Sequence, residues 1–356
     1  QAEDGIRDQG DGLVGSEMCI RDRAWTVGPK IRDLAAKHGF LTVGDFLERR
    51  YGTSVRVVVS ALLWLGTLAI LAGQLIAFAW ILEVVAGTSK PIGCLLGGAV
   101  VIIYFSLGGL KGTAWVNMLQ LSVKAVGFLI SVPLALAAVG GWSGLESKIL
   151  TNPAHDPAYF DITGIGWVKI LSYVVLLAPS FIVSPGLLQK IYGARDSRTV
   201  RVGVGVSGMV LLFFSFFPVI LGMVAAAAFP DLLHRELALP TVITELLPFW
   251  LGAILLASVF SAEVSSADAI LFMLSTSLGK DLYQRFVNPN ADDQTMLRIS
   301  RQITVGAGIL GVAGALVLES VLSALEIFYG LLSVALFAPL VVGLYRKTPG
   351  LKACLA

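Results

Sequence analysis

Long apolar runs separated by short polar connectors dominate this chain. From Ala24 onward they lie near Val55–Val85, Ile92–Leu107, Trp115–Val139, Ile165–Leu188, Val202–Phe229, Leu251–Leu278, Ile303–Leu318 and Val321–Leu344. A helix needs about 20 mostly apolar residues to cross a bilayer, and only helices or closed barrels satisfy their backbone groups in lipid. The pattern therefore predicts an all-α polytopic membrane protein with about eight transmembrane helices. Pro179 and Ser184-Pro-Gly186 predict a break or kink in the fourth run. Several runs are rich in Gly, Ala and Ser, small residues that let membrane helices approach closely.

The connectors carry an alternating charge. One side holds Lys30, Arg32, Lys37, Arg49, Arg50, Arg56, Lys111, Lys190, Arg195, Arg198, Arg201, Lys280, Arg285, Arg298, Arg301, Arg346, Lys347 and Lys352. The other holds Lys90, Lys148, Lys169 and Arg235. By the positive-inside rule the richer side is cytoplasmic. This places the chain in a cell (inner or cytoplasmic) membrane, with Ala24–Arg50 starting inside.

The sixth run breaks the apolar pattern with Ser261-Ala-Glu-Val-Ser-Ser-Ala-Asp268. A carboxylate at the centre of such a helix costs about 2.5–3.5 kcal/mol on insertion scales, and here there are two, Glu263 and Asp268. At about 100° per residue, Ser261, Ser265, Asp268 and Ser275 share one stripe. The Ala262 carbonyl and the Ser265 and Ser266 hydroxyls, three and four residues apart, converge as hard oxygen donors suited to a small cation. The alternative is a helix contact in which the serines are small packing residues bonded back to the preceding turn. Asp268 could equally be a structural acceptor that touches neither ion nor solute.

Composition narrows the rest. Of 356 residues, 56% are hydrophobic and 14% charged, and the mean hydropathy is +0.81. That excludes an ordinary soluble domain, with about 25% charged residues. The net charge of +2 does not point to nucleic acid, because the basic residues sit between apolar runs. Cys19, Cys94 and Cys354 have no metal-ligand spacing, and His38, His155 and His234 lie in polar connectors without a catalytic partner. No His-Glu-x-x-His or nucleophile motif supports an intramembrane enzyme. Gln1–Arg23 lacks a hydrophobic period, and the string QAEDGIRD…LVGSEMCIRDR resembles a translated sequencing adapter. Residues 1–23 are expected to be non-native and 24–356 a partial transmembrane domain.

Four motifs in order carry a resemblance to the sodium:solute symporters. They are Thr42-Val-Gly-Asp-Phe-Leu-Glu-Arg-Arg-Tyr-Gly52; Gly108-Gly-Leu-Lys-Gly-Thr-Ala-Trp-Val-Asn-Met-Leu-Gln120; Ser184-Pro-Gly-Leu-Leu-Gln189 with Ala194-Arg-Asp196; and Ser265-Ser-Ala-Asp268 with Lys280-Asp-Leu-Tyr283. The resemblance implies a fold of two inverted five-helix repeats. Alignment puts Ala24 at the end of the second core helix, so the first two core helices are expected to be missing. It also implies a sodium site at Ala262, Ser265 and Ser266, completed by carbonyls of the first core helix. Na+ is then the coupling ion, no other cofactor is expected, and the partners are a small organic solute and the bilayer.

Gln74, Tyr173, Ser180 and Glu263 are solute candidates, and Asn117 and Asp268 belong to the ion path or solute set. Asn117 stands where the family often has Asp, which bears on the ion's inward exit. The expected activity is sodium-coupled uptake of a small organic solute. A proton-coupled transporter of the same fold and a solute-sensing module of a signalling protein are the alternatives.

Overall fold

A computed structural model describes residues 26–40, 42–152, 158–161, 163–192, 194–232 and 234–346. The segment read as foreign, residues 1–23 with Cys19, lies outside the described residues, as do His155 and Cys354. So do the side chains of 106–118, which include Asn117. Every regular element among the described residues is helical. In chain order the α-helices are α1 (Gly28–His38), α2 (Val43–Tyr51), α3 (Thr53–Ala86), α4 (Lys90–Ala138), α5 (Gly141–Leu150), α6 (Trp167–Val183) and α7 (Pro185–Tyr192). There follow α8 (Ser197–Ala228), α9 (Ala238–Leu246), α10 (Phe249–Thr276), α11 (Asp293–Val317), α12 (Val321–Leu332) and α13 (Ala338–Tyr345).

Six stretches among the described residues are long and apolar enough to cross a membrane: Thr53–Ala86, Leu119–Ala138, Ser197–Ala228, Phe249–Val287, Gln294–Val317 and Val321–Tyr345. Lys90–Phe105 and Trp167–Val183 are shorter apolar helices that fall on the two remaining predicted runs. Large apolar side chains stand uncovered: Phe249, Val168, Val334 and Trp167 are 91%, 85%, 82% and 72% exposed. Apolar surface on that scale needs a covering of lipid or protein.

Two details go beyond the pattern of runs. The sequence separates the second and third runs by a connector, whereas the backbone is helical from Lys90 through Ala138. The two flanks nevertheless do not share one straight axis. Gly97 meets Phe78, whose ring lies 4.1 Å from that of Phe260, and Gly127 meets Leu255. A straight helix would put Gly97 and Gly127 about 45 Å apart, while Phe260 and Leu255 are neighbours on α10. The last predicted run falls on one candidate span, Val321–Tyr345, which contains a π-helical segment, Ser333–Phe337, between α12 and α13. Hydrophobic periodicity does not distinguish this local widening from a regular turn. The predicted break in the fourth run does occur: helix stops at Val183, Ser184 adopts φ −48°, ψ 118°, and α7 begins at Pro185.

Small residues let α3 become the hub. Gly93 of α4 sits against Ala79, where an added Cβ would lie 2.7 Å from the Ala79 Cα; Gly311 of α11 meets Leu71, and Gly73 of α3 itself meets Ala324 of α12. These contacts replace the hydrophobic driving force that lipid denies to membrane helices.

The Thr42–Gly52 motif explains itself structurally. Thr42 and Asp45 form a reciprocal capping box for α2, Phe46 and Leu47 enter the core, and Tyr51 donates to the Pro339 carbonyl at 2.7 Å. Gly52, at φ 98°, turns the chain into α3 in a conformation that L side chains rarely adopt. Glu48 accepts from Thr53 at 3.0 Å, from Arg285 at 2.7 Å and from Arg56, which also pairs with Asp45 at 3.2 Å. Arg285 lies in the π-helical segment Ser277–Val287 that continues α10, so Glu48 ties α10 to the α2–α3 corner.

Desolvation of Glu48 favours its neutral form, but its hydrogen bonds from Arg56, Thr53 and Arg285 outweigh that and hold its pKa below the ordinary 4.5. Its contribution to stability is therefore full above about 4.5 and is lost as pH falls through the lowered folded-state value. Unfolding followed from pH 7 to pH 3 should show this acid loss in the wild type and a flatter profile in Glu48→Gln.

Candidate ion and solute site

α10 packs against α3, α4, α9 and α11 and carries the polar turn. Asp268 is buried at 3% exposure, Ala262 and Ser265 are half-buried, and Ser266 is exposed. The serines of α10 differ in their hydrogen bonds. Ser258 donates to the Ile254 carbonyl at 2.9 Å and Ser275 to the Phe272 carbonyl at 3.1 Å, as packing serines do. Ser266 makes no such bond among the described residues. Its hydroxyl is available to a ligand approaching α10 from outside, and with the Ala262 carbonyl one turn earlier it offers oxygen donors of the kind a small hard cation requires.

Next to this turn opens a cavity of about 580 Å³ between α3, α6, α8, α9, α10 and α12. Glu263 and Tyr173, two of the predicted solute residues, both line it. Gln74, Ser180 and Asp268 are not among its lining residues. Ser180 is fully buried and donates to the Leu176 and Leu177 carbonyls at 3.1 and 2.8 Å, a local back-bond. Gln74 is half-buried on α3.

The interrupted helices frame the same cavity. Ser333 of the π-helical segment donates to the Leu176 carbonyl at 2.7 Å, and the Phe181 and Tyr329 rings lie 5.1 Å apart; Leu176, Phe181 and Tyr329 all line the cavity. This is where α6 and α12 meet, each just before its own interruption.

Three residues of this neighbourhood are not prominent in the sequence. Glu326 and Tyr329 line the cavity from α12. Lys124 lies within coulombic reach of Glu263; it is one helical turn from Gly127, which packs on Leu255 of α10. The signal for Glu326 and Lys124 is the one that marks Glu263, a lone charge inside an apolar run.

Comparison with known proteins places this arrangement. The family model described as the sodium:solute symporter family matches residues 20–350. The chain belongs to the sodium:solute symporter family. Its relatives include the sodium/pantothenate symporter of Escherichia coli, 28% identical over 93% of this chain and 69% of that protein. The sodium/glucose cotransporter of Vibrio parahaemolyticus is 21% identical over 90% of this chain and 65% of its own length. The chain thus spans about two thirds of these relatives. A solved Na+-coupled sialic acid symporter, in a substrate-bound outward-open state, superposes with a TM-score of 0.77 at 18% identity, covering 99% of this chain and 77% of that one. That likeness establishes the fold. The family and these relatives are transporters rather than enzymes, and this family member is an integral membrane protein with sodium-coupled kin.

Proposed function

We propose that this symporter-family chain belongs to a transporter that takes up a small organic solute across the cytoplasmic membrane by coupling it to Na+. The observation that carries the reading is the proximity of two chemistries on α10. Ala262, Ser265 and Ser266 supply oxygen donors for the ion, and Glu263, between them in sequence, faces the cavity beside α3, α6 and α12. Two ligands that bind neighbouring faces of one helix turn can each favour the same conformation, and coupling consists of that shared preference. Na+ held at Ala262, Ser265 and Ser266 would fix the position of α10 and so set the wall of the cavity that receives the solute. Ser180 and Gln74 then support the helices around the cavity rather than touching solute.

The test is thermal unfolding of the full-length transporter in NaCl against KCl at equal ionic strength. Na+ should raise the midpoint in the wild type. Ser266→Ala should weaken apparent Na+ affinity by about tenfold, the equivalent of one lost hydrogen-bond-strength ligand of about 1.4 kcal/mol, with unchanged stability in KCl. Equal midpoints in the two salts for the wild type, or an unchanged Na+ response in Ser265→Ala and Ser266→Ala alike, would remove these residues from an ion site.

A further inference from the structure

The charge balance of the cavity selects among solutes, an inference that rests on the transport reading above. Three carboxylates line it, Glu236, Glu263 and Glu326, against one cation, Arg235. Arg235 is already engaged, with its Nε 3.8 Å from Glu236. Glu263 and Glu326 are left without an opposite charge on the cavity wall. Neither forms a hydrogen bond or an ion pair within 4.0 Å among the described residues. The nearest compensation for Glu263 is Lys124, which acts at a distance and is not part of the lining.

A carboxylate without an ion-pair partner beside an apolar cavity in a membrane span is costly, more so for the half-buried Glu263 than for the exposed Glu326, and a cation entering that cavity reduces the cost. The remaining wall is apolar and aromatic, with Tyr173, Phe181, Phe229 and Tyr329. Aromatic faces attract ammonium and guanidinium groups, most strongly where water is excluded. A carboxylate or phosphate solute would instead meet two like charges and, among the described lining residues, no free donor cation.

We infer that the solute is a small organic cation with an apolar body, its charged group seated between Glu263 and Glu326 and its hydrocarbon part against the rings of α6 and α12. The cavity volume suits a molecule of roughly drug-fragment to drug size.

Three probes of one skeleton separate charge from shape: 3-phenylpropylamine, 3-phenylpropanol and 3-phenylpropionate. Each is titrated against the thermal unfolding of the full-length transporter in NaCl. The amine should raise the midpoint and the alcohol and carboxylate should not. Glu263→Gln should reduce the amine's apparent affinity at least tenfold, and Glu263→Asp should recover part of it. A shift by the carboxylate, equal shifts by all three probes, or no shift by the amine in a protein that still responds to Na+ would overturn the organic cation while leaving sodium coupling in place. Loss of the Na+ response itself would sink the transport reading instead.

Discussion

Replacing Gly93 with valine should abolish the well-packed form of the molecule. A Cβ at Gly93 would lie 2.7 Å from both the Cα and the Cβ of Ala79 and 3.2 Å from its carbonyl oxygen. The first of these atoms is backbone, deep in a helix that also packs on α10, α11 and α12, so α3 cannot yield locally. Overpacking a core costs about 1–3 kcal/mol when side chains can move aside; here a helix must move, and the two γ-methyls of valine add to the clash. Gly93→Ala should show a graded loss and Gly93→Val a collapse of the monodisperse peak in detergent chromatography. A Gly93→Val protein with the wild-type melting midpoint would show that α3 and α4 are not in this contact.

Arg56→Ala is the second large effect. The guanidinium has a side chain only 7% exposed and holds both Asp45 and Glu48, themselves 27% and 18% exposed. Removing one partner of a buried pair leaves the other charge poorly solvated, at about 3 kcal/mol. Arg285→Ala removes a bond to the same Glu48, but from a side chain that is 54% exposed, and an exposed pair contributes under about 1 kcal/mol. The two variants should therefore differ clearly in thermal midpoint. Pairing Arg56→Met with Glu48→Gln should recover part of the loss, because of the two carboxylates that lose Arg56 only Asp45 then keeps its charge. Equal midpoints for Arg56→Ala and Arg285→Ala would contradict this ranking.

What the sequence reveals follows from where physical cost is visible in one dimension. Glu263 stands out because a carboxylate in an apolar run is expensive wherever the helix goes, and the structure places it on the wall of the cavity. The break after Val183 is legible because proline cannot continue the hydrogen-bond ladder. The eight apolar runs are legible because lipid demands length.

Other features depend on the partner rather than on the residue. Ser258, Ser266 and Ser275 are chemically identical, and only the structure separates two that bond back to their own helix from one that, among the described residues, does not. Ser180 looks like a solute ligand by its place in a broken span, yet it is fully buried against Leu176 and Leu177. The π-helical segments Ser277–Val287 and Ser333–Phe337 leave no trace in hydrophobic spacing. Lys124 and Glu326 carry the same one-dimensional signal as Glu263. Their meaning depends on α12 facing the same cavity as α10 and on α4 packing against α10, and that is a property of packing.

The central claim is that ion and solute share α10, and solute-driven sodium entry tests it most directly. Full-length protein in liposomes, held at fixed pH with an inside-negative potential, is offered tracer sodium with and without a solute that stabilises it. Entry of sodium that rises with the solute, and solute accumulation that disappears when K+ replaces Na+, is the predicted result. Solute accumulation that ignores the replacement and follows an imposed pH gradient would contradict it.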